Sequence, residues 1–324
     1  MLIAHLAVAT AHLSPLTWVQ AIVIGTVQGI AEMFPISSLG HTVLVPGWLG
    51  WHNLVNSESD SESFYLAFVV GLHVATAFAL LVIFWRDWVK IIGGFFVSIR
   101  NRRIDTPEQR LAWLIVVATI PAGIVGLAFE HKLRTQFAKP LSAAIFLTIN
   151  GGILLVGERL RRRDAVRALA ERKGEVTVTD ASGHVAVAVD PAGGGPRRRL
   201  DTMEVREAGV IGVAQILPLL AGISRSGITM AAGLLRGLDH EDAARFSFLL
   251  ATPIILAAGL LKVPDLTGSL GKGVHGQILV GCLFAAVFAY LSVRFLLRYF
   301  ETRTLTPFAI YCLVAGAASI IRFA

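Results

Sequence analysis

The hydrophobic pattern of the chain consists of long apolar runs separated by short polar segments. A membrane-spanning helix needs about 20 predominantly apolar residues, and six continuous runs reach or approach that length. The runs recur along almost the whole chain, which favours one membrane-embedded unit over separate soluble domains. We predict six membrane-spanning helices at residues 64–85, 111–129, 141–157, 246–261, 278–297 and 307–321.

Two more apolar regions, residues 18–49 and 208–236, are interrupted near their middles by polar residues, proline and glycine. Each arm of these regions is too short to cross a bilayer. Irregular backbone at membrane depth is tolerated only where protein or a water-filled cavity surrounds it. We therefore predict two re-entrant helical hairpins, and the fold class is an all-α polytopic membrane protein with about six transmembrane helices.

The two interrupted regions resemble each other in sequence. With an offset of 187 residues (25 to 212), 18 gapless positions contain six identities. In an inverted-topology repeat, broken helices meet near the bilayer midplane and the ligand site forms between them. We predict this plan, which is familiar from transporters and does not by itself indicate an enzyme. The identical pairs are Gly25 and Gly212, Gln28 and Gln215, Ile36 and Ile223, Ser37 and Ser224, Gly40 and Gly227, and Thr42 and Thr229.

Composition and charge agree with a membrane protein. The chain is 55% hydrophobic and 16% charged, whereas soluble domains average about 25% charged residues. The net charge of +7 is explained by Lys and Arg in cytoplasmic loops, so we expect no nucleic-acid partner. The excess of Lys and Arg in cytoplasmic loops also places two loops in the cytoplasm and three outside. In this orientation the first interrupted region enters the membrane from outside and the second from inside. The cytoplasmic loops are residues 86–110 and 158–207, and the outer loops are residues 51–63, 130–140 and 263–275.

A long polar segment separates the two similar halves. We predict one integral membrane domain over residues 1–324, with repeats at residues 18–157 and 208–322 and a cytoplasmic loop at residues 158–207. Within that loop, residues 175–189 alternate apolar and polar side chains, a pattern typical of a small β-hairpin. We expect the loop to be solvated and to carry no site; the alternative is that the arginines at its start contact anionic lipid headgroups.

The first interruption carries several groups that can do chemistry. Ionisable side chains at membrane depth are costly and indicate function by default, and both Glu32 and His41 are of this kind. Ser38 and His41 are three residues apart, so a helical turn would make them a nucleophile and its base. Glu32 can orient His41, act as a base or hold a divalent cation. Either Ser37 or Ser38 is expected to cap the helix, and Gln28 can hydrogen-bond or coordinate.

The second interruption is suited to binding an anion. Gly, Ser and Gly before a helix leave free backbone N–H groups, and the helix dipole favours negative charge there. Arg225 adds a planar guanidinium that matches phosphate oxygens. The predicted catalytic residues are Glu32, Ser38, His41 and Arg225, and the predicted substrate-binding residues are Gln28, Ser37, Ser224, Ser226, Gly227 and Thr229.

Together the interruptions predict a phosphate site that is buried in lipid. A hydroxyl-rich, electropositive cleft suits a phosphate ester or diphosphate whose organic part is a lipid. Hydrolysis needs an in-line nucleophile, cations around the phosphate and an acid for the leaving group. Ser38 or an activated water, Arg225 with a metal, and His41 can fill these roles. The alternatives are that Glu32 and Arg225 form an ion pair for folding only, and that His41 is an interfacial histidine.

At these residues the sequence resembles the undecaprenyl-diphosphatase family, bacterial enzymes that dephosphorylate the polyprenyl diphosphate carrier of cell-wall synthesis. The second family motif stands here as residues 221–227, and residues 246–253 and 307–311 also resemble the family. The likeness covers nearly the whole chain apart from most of residues 164–200. The first family motif stands here as Gln28, Glu32, Pro35, Ser37, Ser38, Gly40 and His41.

The resemblance implies interlocked inverted repeats and a site open to the extracytoplasmic side of the bacterial cytoplasmic membrane. It makes Glu32 an essential acid, Ser38 and His41 the nucleophile and its partner, and Arg225 the phosphate clamp. It also implies a divalent cation, Mg²⁺ or Ca²⁺, with Glu32 as a ligand. The expected partners are a polyprenyl diphosphate substrate and membrane lipids, with a homodimer left to test.

Three positions depart from the family pattern. Gln28 replaces the commoner Glu, so a two-carboxylate metal site loses one charge. Ala221 replaces the Pro before Gly222, which loosens that turn. Residues 71–73 read Gly-Leu-His where many members carry Gln-Leu-Gly, which bears on how the substrate fits there. We expect His73 to be buried and hydrogen-bonded.

Two other functions compete with hydrolysis of a prenyl diphosphate. A transporter or flippase for the lipid monophosphate fits the inverted repeat, and phosphate release by the purified protein separates enzyme from transporter. A phosphatidate-type phosphatase also uses Ser-Gly-His and Ser-Arg runs, but it needs His and Asp where this chain has Ala231 and Leu235. A Ser-hydrolase elbow is not matched, because Ser226 replaces its second glycine.

Overall fold

The computed structural model describes residues 16–51, 53–54, 64–137, 139–172, 200–267 and 273–324. Within these residues the chain forms eleven α-helices and two short 3₁₀ helices, Leu200–Thr202 and Leu217–Leu219. The α-helices, numbered in chain order, are α1 Trp18–Met33, α2 Ser38–Leu49, α3 Phe64–Ile83, α4 Trp85–Asn101, α5 Pro107–Phe137, α6 Pro140–Arg172, α7 Val205–Ala214, α8 Arg225–Leu235, α9 His240–Thr267, α10 His275–Phe300 and α11 Thr306–Phe323.

Six helices in the described part of the chain are long and apolar enough to cross a membrane, which confirms the predicted number of spans and makes the chain a multi-pass membrane protein. The four helices beside the interruptions, α1, α2, α7 and α8, have 16, 12, 10 and 11 residues. Each is shorter than a span requires, and their re-entrant course stays a prediction. The six spans are Phe64–Ile83, Pro107–Phe129, Pro140–Arg163, His240–Gly259, His275–Phe300 and Thr306–Phe323.

The expectation of a loop over residues 86–110 is wrong, because α4 occupies most of it. The exposed apolar residues of α4 recur at helical spacing on one face, and basic residues line the adjacent face. The opposite side packs on α5, where Trp113 donates a 3.0 Å hydrogen bond to Ser98. Three such faces are typical of a helix that lies in the membrane interface. The apolar face holds Trp85, Val89, Ile92, Phe96 and Ile99, and the basic face holds Arg86, Lys90 and Arg100.

Five of the six spans continue beyond their predicted ends, and two of them, α5 and α6, do so furthest. Helix α5 extends to Phe137 and α6 extends to Arg172, so part of the predicted outer loop and the first 15 residues of the predicted cytoplasmic loop (158–172) are helical. The second extension is rich in Arg, Ala, Glu and Leu, which are strong helix formers. The predicted β-hairpin at residues 175–189 lies outside the described residues.

The first helix of each predicted repeat packs against a helix of the other repeat. Gly25 of α1 lies so close to α10 that a Cβ there would overlap the carbonyl group of Gly281. Its counterpart at the 187-residue offset, Gly212 of α7, lies against α5, where a Cβ would be 2.7 Å from the Ala118 carbonyl oxygen. Small residues let membrane helices approach closely. The positions paired by sequence therefore make equivalent contacts across the two halves.

Helices α6 and α11 form another close pair. A Cβ at Gly151 of α6 would lie 2.8 Å from the Ala309 carbonyl oxygen, and one at Gly316 of α11 would overlap the side chain of Thr148. This contact holds together two helices that contribute to the site, α6 through Asn150 and α11 through Tyr311.

Candidate active site

The first interruption joins α1 to α2 through a tight turn. The Ser37 hydroxyl accepts a 3.2 Å hydrogen bond from the Gly40 amide and thereby caps α2. The backbone of Ser37 has a φ of 70°, a region that few non-glycine residues adopt. The same hydroxyl accepts a 3.2 Å hydrogen bond from the amide of Gly222. Ser37 is therefore the cap, and the hydroxyl of Ser38 is available for another partner.

The second interruption has the same local design. Ser224 caps α8 by accepting a 3.1 Å hydrogen bond from the Gly227 amide. Gly222 has a φ of 114°, and a Cβ there would overlap the carbonyl of Ala143 on α6. Only glycine accommodates both that φ and that approach, so this residue holds the start of α8 against α6.

The two interruptions pack directly against each other. A Cβ added at Gly40 would lie 2.8 Å from the Cα of Gly222, and one added at Gly227 would lie 3.3 Å from the Cβ of Pro35. The 187-residue offset pairs Pro35 with Gly222 and Gly40 with Gly227, so each contact is the counterpart of the other. The N-termini of α2 and α8 are brought together by this packing, and helix N-termini favour negative charge.

The carboxylate of Glu32 connects the two interruptions. Arg225 donates to its Oε1 atom and forms an ion pair with it, while Ser38 donates to its Oε2 atom. Gln28 also donates to Oε2, at 3.1 Å. Ser38 and Arg225 are the first residues of α2 and α8 and are paired by the 187-residue offset. The predicted residues Gln28, Glu32, Ser38 and Arg225 are thus brought into one hydrogen-bonded group.

His73 also belongs to this group, and it is hydrogen-bonded as expected, although the side chain is only partly buried. Its Nε2 atom lies 3.2 Å from Oε2 of Glu32. Its Nδ1 atom lies 2.8 Å from the carbonyl oxygen of Val69. Both contacts are with acceptors, so a ring that carries both N–H groups satisfies them. The available signal was a histidine at membrane depth, which indicates function by default.

His41 does not pair with Ser38 as the spacing predicts. Its Nδ1 atom donates to the Ser37 carbonyl oxygen at 2.7 Å, and its Nε2 atom lies 2.7 Å from the hydroxyl oxygen of Tyr311. Both ring nitrogens are therefore engaged elsewhere, while Ser38 donates to Glu32. The expected serine–histidine pair is replaced by a serine–carboxylate pair, because Glu32 at the end of α1 reaches the start of α2.

Asn150 of α6 joins the two interruptions from the side and was missed by the sequence-based prediction. Its Nδ2 atom donates to the Pro35 carbonyl oxygen at 3.0 Å, and its Oδ1 atom accepts from the Ser224 amide at 3.0 Å. The side chain is fully buried. A polar amide inside a predicted span was the signal that could have identified it, because buried polar groups in lipid need partners.

The remaining predicted substrate-binding hydroxyls have partners within the protein. Ser226 donates to the Phe34 carbonyl oxygen at 3.1 Å and lies 3.0 Å from Ser224. Thr229 donates to the Arg225 carbonyl oxygen at 2.7 Å. These contacts stabilise the turn that presents Arg225, so the three hydroxyls support the site through the backbone.

The donor atoms around Glu32 suit a divalent cation only in part. Among the described residues, no group of three or more His, Cys, Asp and Glu side chains could hold a metal ion. However, Oε1 of Gln28 is buried without a hydrogen-bond partner, and this side chain contacts Glu32 through its other terminal atom. Mg²⁺ commonly binds one or two carboxylates together with substrate phosphates. The residues fit a cation that also takes phosphate oxygens, and they do not form a cage made of protein alone.

The fold and the site define a class of protein: a multi-pass membrane protein with a charged site where two interrupted helices meet. Compared with known families, residues 21–318 match the one described as bacitracin resistance protein BacA. The chain belongs to this family.

The similarity to related proteins extends over nearly the whole chain. It is 60% identical to undecaprenyl-diphosphatase 2 of Frankia alni, over 95% of this chain and 98% of that protein. It is 58% identical to undecaprenyl-diphosphatase of Mycolicibacterium paratuberculosis, over 97% and 99%. It is 41% identical to undecaprenyl-diphosphatase of Granulibacter bethesdensis, over 93% and 95%. The family resemblance found in the sequence is confirmed.

Proposed function

We propose that this chain hydrolyses undecaprenyl diphosphate to undecaprenyl phosphate and inorganic phosphate, and thereby recycles the lipid carrier of cell-wall synthesis. The observation that carries the proposal is the Glu32 carboxylate, which binds Ser38 of one interruption and Arg225 of the other. Base, hydroxyl and phosphate-binding cation lie in one group. The names of the relatives, which are undecaprenyl-diphosphatases, support the same activity.

The first step binds the diphosphate at the N-termini of α2 and α8. Arg225 moves its guanidinium from Glu32 to the phosphate oxygens, for which its planar donors are suited. The two helix N-termini add a favourable potential for the anion. The prenyl chain remains in the surrounding lipid, because the site lies among membrane-embedded helices. On binding, Arg225 thus exchanges one anionic partner, the Glu32 carboxylate, for another, the diphosphate.

The second step transfers the terminal phosphoryl group. Glu32 accepts the proton of the Ser38 hydroxyl, whose oxygen attacks the terminal phosphorus and breaks its bond to the bridging oxygen. The prenyl monophosphate leaves with a proton from the pair formed by His41 and Tyr311. Water then attacks the phosphorus and breaks its bond to the Ser38 oxygen, which takes back the proton held by Glu32. The proton lost by the water returns to the pair formed by His41 and Tyr311, and inorganic phosphate is released. If water replaces the serine as the first nucleophile, Glu32 serves as its base in the same position.

A divalent cation, Mg²⁺ or Ca²⁺, forms part of the proposal. Glu32 and the unpartnered Oε1 of Gln28 would hold it together with diphosphate oxygens, and it would neutralise charge on the phosphates. We also place the protein in the bacterial cytoplasmic membrane, with the site open to the extracytoplasmic side. The basic residues in the predicted cytoplasmic segments support that orientation.

The test is phosphate release from undecaprenyl diphosphate by the purified protein in detergent, with and without a chelator. The proposal predicts steady release that a chelator slows and added Mg²⁺ or Ca²⁺ restores. Ser38→Ala distinguishes the two nucleophiles, because a covalent serine route is lost and a water route retains turnover. Absence of release by a folded, cation-supplied protein would contradict the proposed activity.

Transport of the lipid monophosphate is a second candidate function. It is favoured by the equivalent contacts of Gly25 and Gly212 across the two halves, since many transporters are built from inverted repeats with the substrate site between them. Movement of labelled undecaprenyl phosphate across vesicles that contain the protein, without phosphate release, would favour this candidate over hydrolysis.

A further inference from the structure

Helix α4 presents three faces that differ in chemistry. Successive residues are separated by about 100° around a helix axis, so its apolar face and its basic face each cover about 80° and lie side by side. Every member of both faces is exposed, and Gly93 and Val97 lie between the three cations. The third face holds Ile91 and Ser98, which are buried against the rest of the protein. The basic face therefore borders the apolar face and is open to the surroundings of the protein.

The orientation of α4 is fixed by contacts on its packed side. A Cβ added at Gly94 would lie 3.2 Å from the amide nitrogen of Gln109, so α4 packs closely on the start of α5. Arg245 of α9 donates a 2.6 Å hydrogen bond to Asp87. Phe84, which precedes the helix, is buried as well. Because rotation of α4 about its axis would break these contacts, the apolar and basic faces keep their directions.

The charge on the basic face is not balanced within the described part of the chain. Asp87 is the sole acidic residue of α4, and it lies toward the packed side, where it pairs with Arg245. No described Asp or Glu forms an ion pair with the three cations of the basic face. The guanidinium of Arg86 lies 5.4 Å from the centre of the Trp85 ring, which keeps this cation beside the apolar face.

This arrangement matches the boundary between the acyl chains and the anionic headgroups of a bilayer. Binding of an interfacial helix increases with the apolar area that it buries and with its attraction to anionic lipids. Because the apolar face is in contact with acyl chains, the headgroups of the same lipids are the nearest partners of the basic face. Arg86 and Lys90 are one turn apart, and Arg100 follows about 15 Å further along the axis. The basic face therefore extends over more than one headgroup.

We propose that α4 is a binding site for the anionic phospholipids of the leaflet that surrounds it. The apolar face inserts among the acyl chains, and the basic face binds the phosphate groups of lipids with a net negative charge, such as phosphatidylglycerol. Through its contacts with α5 and α9, α4 attaches two membrane-spanning helices to this leaflet. The inference goes beyond the proposed diphosphatase function and does not depend on it, since α4 contributes no residue to that site.

Quenching of Trp85 fluorescence measures which lipids contact α4, because Trp85 belongs to the apolar face. The full chain is reconstituted into vesicles of equal amounts of phosphatidylcholine and phosphatidylglycerol, in which one lipid or the other carries brominated, quenching acyl chains. The Trp85 signal is the difference between the protein and its Trp85→Phe variant. We expect brominated phosphatidylglycerol to quench this signal at least about twofold more than brominated phosphatidylcholine. Equal quenching by the two lipids would overturn the inference.

Neutralisation of the basic face tests whether the preference is electrostatic. The triple variant Arg86→Gln, Lys90→Gln, Arg100→Gln keeps the apolar face, and we expect the two brominated lipids to quench its Trp85 signal equally. About 1 M salt should remove the preference from the unaltered protein, because it shortens the screening length to about 3 Å. The salt measurement needs no substitution and so decides the matter even if the triple variant does not fold. A preference that persists in the folded triple variant or at high salt would overturn the inference.

A second triple variant, Arg294→Gln, Arg298→Gln, Arg303→Gln, serves as the matched control. These arginines are exposed in and just beyond the last turns of α10, and their replacement removes the same number of positive charges. We expect this variant to keep the preference of Trp85 for brominated phosphatidylglycerol. A loss equal to that of the basic-face variant would show that the preference follows the net charge of the protein, and it would overturn the assignment to α4.

Discussion

At the scale of single residues, two neighbouring serines have different tasks. Ser37 caps α2 and binds the Gly222 amide, whereas Ser38 donates to Glu32. Spacing in the sequence could not distinguish them, because either hydroxyl could reach the first free amides of the helix. The folded turn distinguishes the two serines, because Ser37 has a positive φ and its hydroxyl lies toward the second interruption.

This division of tasks predicts opposite effects of two equal substitutions. Ser38→Ala should reduce phosphate release at least about 100-fold, the lower range for loss of a proton-transfer partner, with little change in thermal stability. Ser37→Ala should lower stability by about 1 kcal/mol, the usual effect of losing a helix cap. Phosphate release and thermal unfolding in detergent measure the two effects. Wild-type turnover in Ser38→Ala would exclude Ser38 as the nucleophile and would assign that role to a water activated by Glu32.

Asn150 is predicted to be a structural link between the interruptions. Asn150→Ala leaves the Pro35 carbonyl and the Ser224 amide without their partner, at a cost of about 1–3 kcal/mol for each buried group. Thermal unfolding measures this loss. Thr252→Val is the control, because its buried hydroxyl bonds to a carbonyl of its own helix. Equal stability of the two variants would contradict a bridging role for Asn150.

At the scale of helices, the chain is held together by close contacts at small residues. The approach of α1 to α10 at Gly25 and that of α7 to α5 at Gly212 are equivalent. They fix the positions of the two helices that lead into the interruptions, and Gln215 adds a 2.8 Å hydrogen bond to the Ala118 carbonyl oxygen of α5. The site therefore depends on helix contacts that lie outside it.

Because these contacts are so close, we predict that a single added methyl group strongly lowers the stability of the protein. Gly25→Ala should destabilise the protein by about 1–3 kcal/mol, the usual cost of overpacking, because its Cβ overlaps the Gly281 carbonyl. Gly152→Ala on α6 is the control, since a Cβ there meets no heavy atom of the described residues within 4 Å. Thermal unfolding of both variants checks the prediction. If the Gly25→Ala protein were as stable as Gly152→Ala, the close approach of α1 and α10 would be contradicted.

Helix α4 was not predicted from the sequence, which was interpreted as a loop at residues 86–110. Its basic residues favour a cytoplasmic loop, whereas its apolar residues recur at helical spacing, which indicates an amphipathic helix. Secondary structure at a membrane interface depends on the bilayer surface as well as on the chain. The six spans were predictable because long apolar runs have few other stable arrangements in lipid.

At the scale of the whole molecule, two distant interruptions form one site, as the sequence predicts. The identities at the 187-residue offset and the complementary charges of Glu32 and Arg225 were sufficient for that inference. His73, Asn150 and Tyr311 stand out in the sequence as polar residues inside predicted spans, but their partners could not be predicted, because those depend on how the spans pack. The predicted pairing of Ser38 with His41 is wrong for the same reason, because in the folded chain Ser38 donates to the carboxylate of Glu32 on α1.

Glu32 and Arg225 are proposed to belong to one diphosphatase site, beyond any role as an ion pair for folding. The decisive measurement is the rate of phosphate release from undecaprenyl diphosphate by wild-type, Glu32→Ala and Arg225→Ala proteins that elute as folded species in detergent. We expect release by the wild type and its loss, by at least about 100-fold, in both variants. Normal turnover in either folded variant would show that the pair serves folding only.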